Sequence, residues 1–158
     1  MAEQGSGPVE REEKPYGFLG VFERSVDAKG RLSLPFPFRT SDTPAQEEWA
    51  LAPGPDGTLC LNPRQDWVRK MSREMRQSLD TVRRDQLRTL SEQSFPVRPD
   101  GQGRITLPLD VLTRHEITDT VAVVGMNHYL ELWNPERLAA KRTSKTPTSD
   151  ELLNDLYS

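Results

Sequence analysis

The chain has 158 residues, enough for one domain or two very small ones, and only 34% of them are hydrophobic, at a mean hydropathy of −0.70. So lean a chain buries a modest core and favours completing it against another copy of itself. A single cysteine, Cys60, excludes an intramolecular disulfide, no apolar run approaches membrane-spanning length, and the net charge of −3 argues only weakly against a nucleic-acid partner.

In chain order, "MAEQGSGPVEREEKP" has no apolar core, so residues 1–16 read as a disordered acidic extension rather than a signal peptide, on a cytoplasmic protein. A first unit spans 17–62. Its apolar stretch 18–26 leads into the turn "DAKG" and a short alternating strand, Arg31–Leu34, stopped by Pro35, which together predict a hairpin. "FPFRTSD" is a poor helix and takes no assignment. A second hairpin pairs 48–52 with 57–61 around "PGPDG". Asn62 and Pro63 then suit the N-cap and first position of a helix.

A helical insert follows over 63–93. Trp67, Met71, Met75 and Leu79 recur every four residues and predict one buried stripe, and a more polar helix covers about 81–92. Residues 61–90 hold eight Arg and Lys against four Asp and Glu, a local net of +4 (8 − 4), which reads as a solvated outer face. Residues 94–143 repeat the first plan: strand, "DGQG" turn, strand Arg104–Leu107 stopped by Pro108, helix "LDVLTRHE", hairpin 120–125 with 128–133, and a helix opened by Asn134-Pro135. Residues 144–158 are a polar linker and then "DELLNDLYS", which allows either a short helix gathering Leu152, Leu153 and Leu156 or a frayed tail.

The repetition is specific. A shift of 73 (100 − 27) lays Asp27, Gly30, Arg31, Leu34 and Pro35 over Asp100, Gly103, Arg104, Leu107 and Pro108. A shift of 72 (134 − 62) lays Asn62-Pro63 over Asn134-Pro135, so two motifs repeat at nearly constant separation and predict an internal duplication. Within each motif Asp opens the turn and Gly supplies its backbone angles. Arg31 and Arg104 alternate with Leu32 and Ile105, so an inward apolar face sends both arginines outward. Two roles fit them: an ion pair with the turn Asp or simple solvation, or a phosphate or base contact through the guanidinium fork. Arg24, Lys29 and Arg39 surround the first copy, whereas Val97, Gln102 and Leu112 hold the matching places in the second, which predicts that the first copy does most of any reading.

"GVFERSVDAKGRLSLPFPFR", "FPVRPDGQGRITLP" and "VAVVGMNHYLELWNPERLA" together resemble the two halves of the MraZ family, each half being similar to the AbrB/SpoVT domain, over roughly residues 17–143. That resemblance implies an α+β fold with a mainly β core, a tandem pseudo-twofold swapped-hairpin β-barrel with peripheral helices. It implies ring-shaped homo-oligomers on double-stranded promoter DNA, at tandem short repeats upstream of the division and cell-wall gene cluster, and a nucleoid-associated regulator. It places DNA contact at Asp27 to Arg31 and Asp100 to Arg104, with Lys29, Arg24 and Arg39 adding to the same face and Asp27, Gly30, Asp100 and Gly103 forming the turns.

Nothing in the sequence points to an enzyme. Cys60, His115 and His128 lack metal-ligand spacing, and no nucleophile elbow or phosphate-cradling glycine loop occurs. No catalytic residue, cofactor, metal, membrane or small-molecule ligand is expected.

Overall fold

A computed structural model describes residues 16–39, 48–77, 80–144 and 148–158. The strands are β1 (Val21–Ser25), β2 (Arg31–Ser33), β3 (Trp49–Pro53), β4 (Leu59–Pro63), β5 (Phe95–Val97), β6 (Arg104–Thr106), β7 (Thr120–Gly125) and β8 (Leu130–Trp133). The helices are α1 (Arg64–Gln77), α2 (Thr81–Glu92), α3 (Leu109–Arg114), α4 (Pro135–Ser144) and α5 (Asp150–Tyr157). Six strands form one antiparallel sheet in the order β1-β7-β8-β4-β3-β5, and β2 pairs with β6 in a separate ladder. The architecture is α+β with a mainly antiparallel sheet.

Two expectations are corrected here. The sheet is open, with β1 and β5 as its two edges, so no closed barrel forms. The segments flanking "DAKG" also do not ladder with each other. The turn itself closes, Asp27 N–H donating to the Arg31 carbonyl (3.0 Å) and Gly30 N–H to the Asp27 carbonyl (3.0 Å). Beyond it β1 runs along β7 for five residue pairs, and β2 along β6 for three. β1 gains more backbone pairing from the long strand β7 than the three-residue β2 can offer, and β2 is thereby left to carry Leu32 into the core. The expected hairpins β3–β4 and β7–β8 both form.

The pairing registers carry the repeat. Leu32 faces Ile105, and a shift of 73 (105 − 32) maps that pair onto itself, while Arg31 opposite Thr106 maps onto Arg104 opposite Ser33. At the sheet centre Leu59 opposite Leu132 exchanges with Cys60 opposite Glu131 at a shift of 72 (131 − 59). Likewise Phe22 opposite Val123 corresponds to Phe95 opposite Leu51, and Arg24 opposite Val121 to Val97 opposite Trp49.

The main core gathers Leu32 and Leu34, Ile105 and Leu107, Phe38, Trp49, Leu51, Leu61, Val121, Val123, Leu130 and Leu132, all buried. Alternation along β7 sends Ala122 and Val124 the other way, where they pack with Trp133 and Leu138 of α4 in a small second cluster. Where α3 follows Pro108, the first half has only a 3-10 turn, Phe36–Phe38.

The helix starts diverge between the halves. Asn134 caps α4 as expected, its Oδ1 accepting from Glu136 N–H (2.8 Å) and Arg137 N–H (3.1 Å). Asn62 does not cap. β4 continues through Pro63, opposite Trp49, so Asn62 is buried in the strand with its Nδ2 donating to the Ala50 carbonyl (3.5 Å), and α1 starts at Arg64. The expected buried stripe of α1 is also corrected. Trp67 and Met71 are half-buried, Met75 is exposed, and Leu79 lies outside the described residues. α1 and α2 carry more charge than the sheet can cover, so they pack only lightly. α2 is capped by Asp80, whose Oδ1 accepts from Arg83 N–H (2.7 Å). The final segment is helical as α5, capped by Ser149, and buries none of its residues.

Candidate nucleic-acid interface

The two Asp-x-x-Gly-Arg turns fold alike. Asp27 Oδ1 accepts the backbone N–H groups of Lys29 and Arg31 (2.9 Å each), and its Oδ2 accepts from Arg31 Nε (2.7 Å). Asp100 Oδ1 accepts the N–H groups of Gln102 (2.8 Å) and Arg104 (3.0 Å), and its Oδ2 accepts from Arg104 Nε (2.9 Å). One carboxylate therefore sets the turn and aims the following guanidinium, because Asp can bond its own backbone two and four residues on. The ion-pair reading of the arginines is thus realised, and it uses only Nε. Among the described residues the terminal nitrogens of Arg31 and Arg104 have no hydrogen-bond partner.

These bonds hold both carboxylates ionised. The Arg31 backbone N–H and then its guanidinium lower Asp27 to about 2, with Lys29 N–H adding to them. The Arg104 N–H leads in lowering Asp100.

Gly30 and Gly103 adopt φ of +83° and +78°, a region costly for other residues. They also mark where the two turns meet the opposite half. The Gly30 carbonyl accepts from Leu107 N–H (2.9 Å) and the Gly103 carbonyl from Leu34 N–H (3.1 Å), a reciprocal pair at a shift of 73 (107 − 34). A Cβ on Gly30 would fall 2.3 Å from the Leu107 carbonyl oxygen, and one on Gly103 would fall 2.5 Å from Arg39 Cζ.

Across an antiparallel ladder, paired side chains share a face. Leu32 and Ile105 fill the inner face, so Arg31, Thr106, Ser33 and Arg104 all lie on the outer one. Arg31 and Arg104, remote in sequence, are diagonal neighbours there, with Cα atoms roughly 7–8 Å apart by ladder geometry. Their environments match: the side chains of Arg31 and Asp27 are 38% and 43% exposed, and those of Arg104 and Asp100 are 40% and 42% exposed. Strand alternation in the sequence already puts Ser33 on the face of Arg31 and Thr106 on that of Arg104, as observed, though not as site residues. Only the ladder makes them neighbours of the opposite arginine.

The remaining cations distribute unevenly. Lys29 is exposed at the first turn and lines a cleft of about 360 Å³ with Phe95, Thr106, Pro108 and Leu109. Arg39 does not join it there. It packs against Gly103 of the second turn, donates from Nη2 to the Leu34 carbonyl (3.3 Å) and lies over the Phe36 ring at 5.4 Å. Arg24 sits on β1 in the other sheet, its Nη1 donating to the Glu23 carbonyl (2.9 Å) and its guanidinium over the Phe22 ring at 5.6 Å. So the ladder unites Arg31 with Arg104, while Lys29 and Arg39 serve opposite turns and Arg24 belongs to the sheet edge.

Away from this face, Cys60 is buried, and burial pushes its thiol up to about 11, which keeps it protonated. His115 Nδ1 lies 3.1 Å from the Gly57 carbonyl. No described helix is long and apolar enough to cross a membrane.

An α+β sheet is thus joined by one short ladder whose outer face carries paired Asp-anchored arginines. Comparison with known proteins is specific. A family model described as "MraZ protein, putative antitoxin-like" matches residues 92–143. The chain is 31% identical over 145 residues to the transcriptional regulator MraZ of Dehalococcoides mccartyi, covering 88% of this chain and 97% of that protein. It is 33% identical over 125 residues to the transcriptional regulator MraZ of Thermomicrobium roseum, covering 78% and 86%, and 32% identical over 128 residues to that of Corynebacterium glutamicum, covering 78% and 85%. The chain belongs to the MraZ family, and these relatives are named as transcriptional regulators.

Proposed function

We propose that this protein is a sequence-specific, double-stranded-DNA-binding regulator that presents the outer face of the β2–β6 ladder to promoter DNA. The observation that carries this reading is the convergence of Arg31 and Arg104 on one exposed face, each aimed by its own aspartate. Nε is spent on the aspartate, so the terminal nitrogens are the ones left to fork onto a phosphate or the O6 and N7 of guanine. Lys29 and Arg39 flank the pair as phosphate contacts, and Arg24 extends the cationic surface from the sheet edge.

The strand exchange, β1 with β7 and β2 with β6, supports reading residues 17–62 and 94–143 as two AbrB/SpoVT-like halves related by a swapped hairpin, with 63–93 an insert. Each Asp also subtracts a charge beside its Arg, so a single subunit binds weakly. A ring of copies engaging tandem repeats would overcome that through effective concentration. This is the setting proposed here: repeats upstream of division and cell-wall genes, on the nucleoid, without a catalytic role.

The test is binding of the full chain to its upstream promoter DNA across a salt series. The expected result is a log–log slope of several ions that falls by about one for each of Arg31→Ala and Arg104→Ala, with the double variant weakest. Affinity that is salt-insensitive and unchanged in the double variant would instead make the protein an interaction scaffold.

A further inference from the structure

The two turns are related by the repeat, but the spaces beside them are not filled alike. At a shift of 73 (109 − 36), Lys29, Phe95, Thr106, Pro108 and Leu109 correspond to Gln102, Phe22, Ser33, Pro35 and Phe36. Beside Gly103 the space is taken by Arg39. The chain leaves the 3-10 turn Phe36–Phe38 there, and the Arg39 guanidinium lies over the Phe36 ring and against Gly103, with Nη2 donating to the Leu34 carbonyl (3.3 Å). The residue matching Arg39 at the same shift is Leu112. It belongs to α3 and is buried in the core, so it does not reach back to Gly30. Beside Gly30 the fold therefore keeps an open cleft of about 360 Å³.

The chemistry of this cleft is one cation beside an apolar wall. Phe95 and Pro108 are half-buried, and Leu109 is 52% exposed. Lys29 is exposed, and among the described residues its ammonium makes no hydrogen bond or ion pair. Asp27, two residues away, is committed to Arg31 and to backbone N–H groups. Lys29 also stands where the other turn has the neutral Gln102, so a guanidinium could not settle here as Arg39 does there without meeting a like charge. The volume lies in the range of small-molecule sites, about 300–1,000 Å³, which are mostly apolar with a few polar groups that fix orientation. Lys29 offers one point charge rather than a fork, which suits a monoanion. A dianion would bring a second charge with no partner. The wall adds a requirement for hydrocarbon attached to that anion.

We infer that this cleft binds a small amphipathic monoanion, a carboxylate with a compact hydrocarbon tail. Its carboxylate meets the Lys29 ammonium and its tail covers Phe95, Pro108 and Leu109. A phosphate contact at Lys29 would draw on the same charge, so on the function proposed above the ligand and DNA exclude each other at that residue. The site itself stands whether or not the ladder face meets DNA, and its tests are run without DNA.

Sodium octanoate is the probe, titrated into the full chain at constant ionic strength and followed by calorimetry and saturation-transfer NMR. Octanoate is expected to bind, with the strongest transfer to its tail, while acetate, which has the charge without the tail, is not. Lys29→Gln is expected to weaken octanoate about threefold and Lys29→Arg to preserve it, since an exposed ion pair contributes modestly. Leu109→Glu removes apolar wall and adds a repelling charge, so a loss of at least about tenfold is expected. Gln102→Lys is expected to create no second site, because Arg39 already fills the corresponding space. Absence of octanoate binding overturns the inference, as does acetate binding equally well, which would reduce the site to a counterion on a lysine. Octanoate binding unchanged in both Lys29→Gln and Leu109→Glu overturns it too, by placing the ligand elsewhere, and a second site in Gln102→Lys would remove the asymmetry on which it rests.

Discussion

The turns at Asp27–Arg31 and Asp100–Arg104 are copies of one device that have been built into different surroundings. Their internal bonds are nearly superimposable: a carboxylate accepting two backbone N–H groups and the Nε of the next arginine. Their neighbours differ. A Cβ at Gly30 would meet the backbone carbonyl of Leu107 and the side chain of Leu109, whereas one at Gly103 would meet the guanidinium of Arg39. The first turn meets rigid main chain and the second a movable side-chain tip. A motif thus sets its own geometry, while the opposite half sets how much change that geometry tolerates.

The largest contrast should come from the glycines. Gly30→Ala is expected to lose about 3 kcal/mol of stability in urea unfolding, from positive φ plus a clash that only backbone movement relieves, and Gly103→Ala about 1 kcal/mol, since Arg39 can swing away. Equal losses would mean that the two turns are equally constrained. The next contrast lies in the paired asparagines. Asn62→Asp places a carboxylate without its amide donor against the Ala50 carbonyl in a buried strand and should cost about 2 kcal/mol, measured the same way. Asn134→Asp keeps the acceptor at the start of α4, where a negative charge is favoured, and gives up one bond to the Glu116 carbonyl, so its net change should stay within about 0.5 kcal/mol.

The smallest contrast is in acid. Both turn aspartates are lowered from the ordinary 3.8, so their folded-state bonds favour the ionised form. That contribution is fully present above pH about 4 and is lost as pH falls through the folded value, about 2 for Asp27. Asp27→Asn and Asp100→Asn should each flatten the stability profile between pH 4 and 2 and leave its shape above pH 5 unchanged. The groups are exposed, so the effect is small, and a flattening centred near pH 6 would point to another residue.

Much was legible in the residues. The doubled motif, the two later hairpins, α2, α3 and the cap of α4 all follow from turn residues, alternation and capping chemistry read locally. The outward direction of Arg31 and Arg104 also follows, because Leu32 and Ile105 had to face inward. The misses share a cause. Asn62-Pro63 looks like a helix start because Asn134-Pro135 is one, but pairing with Trp49 carries β4 through the proline. The stripe from Trp67 to Met75 has helical spacing without a core to bury it. Arg39 follows the first turn in sequence and packs on the second.

By itself the sequence determined that the chain holds two copies of one plan, where each turn lies, and which face of each short strand is polar. These depend on interactions spanning a few residues. Which strands pair was decided only by the tertiary structure. β1 left its own turn partner for β7 and β2 joined β6, since backbone donors and acceptors are interchangeable and the longer or better-buried ladder wins. That exchange set Arg31 beside Arg104 and turned two distant motifs into one surface.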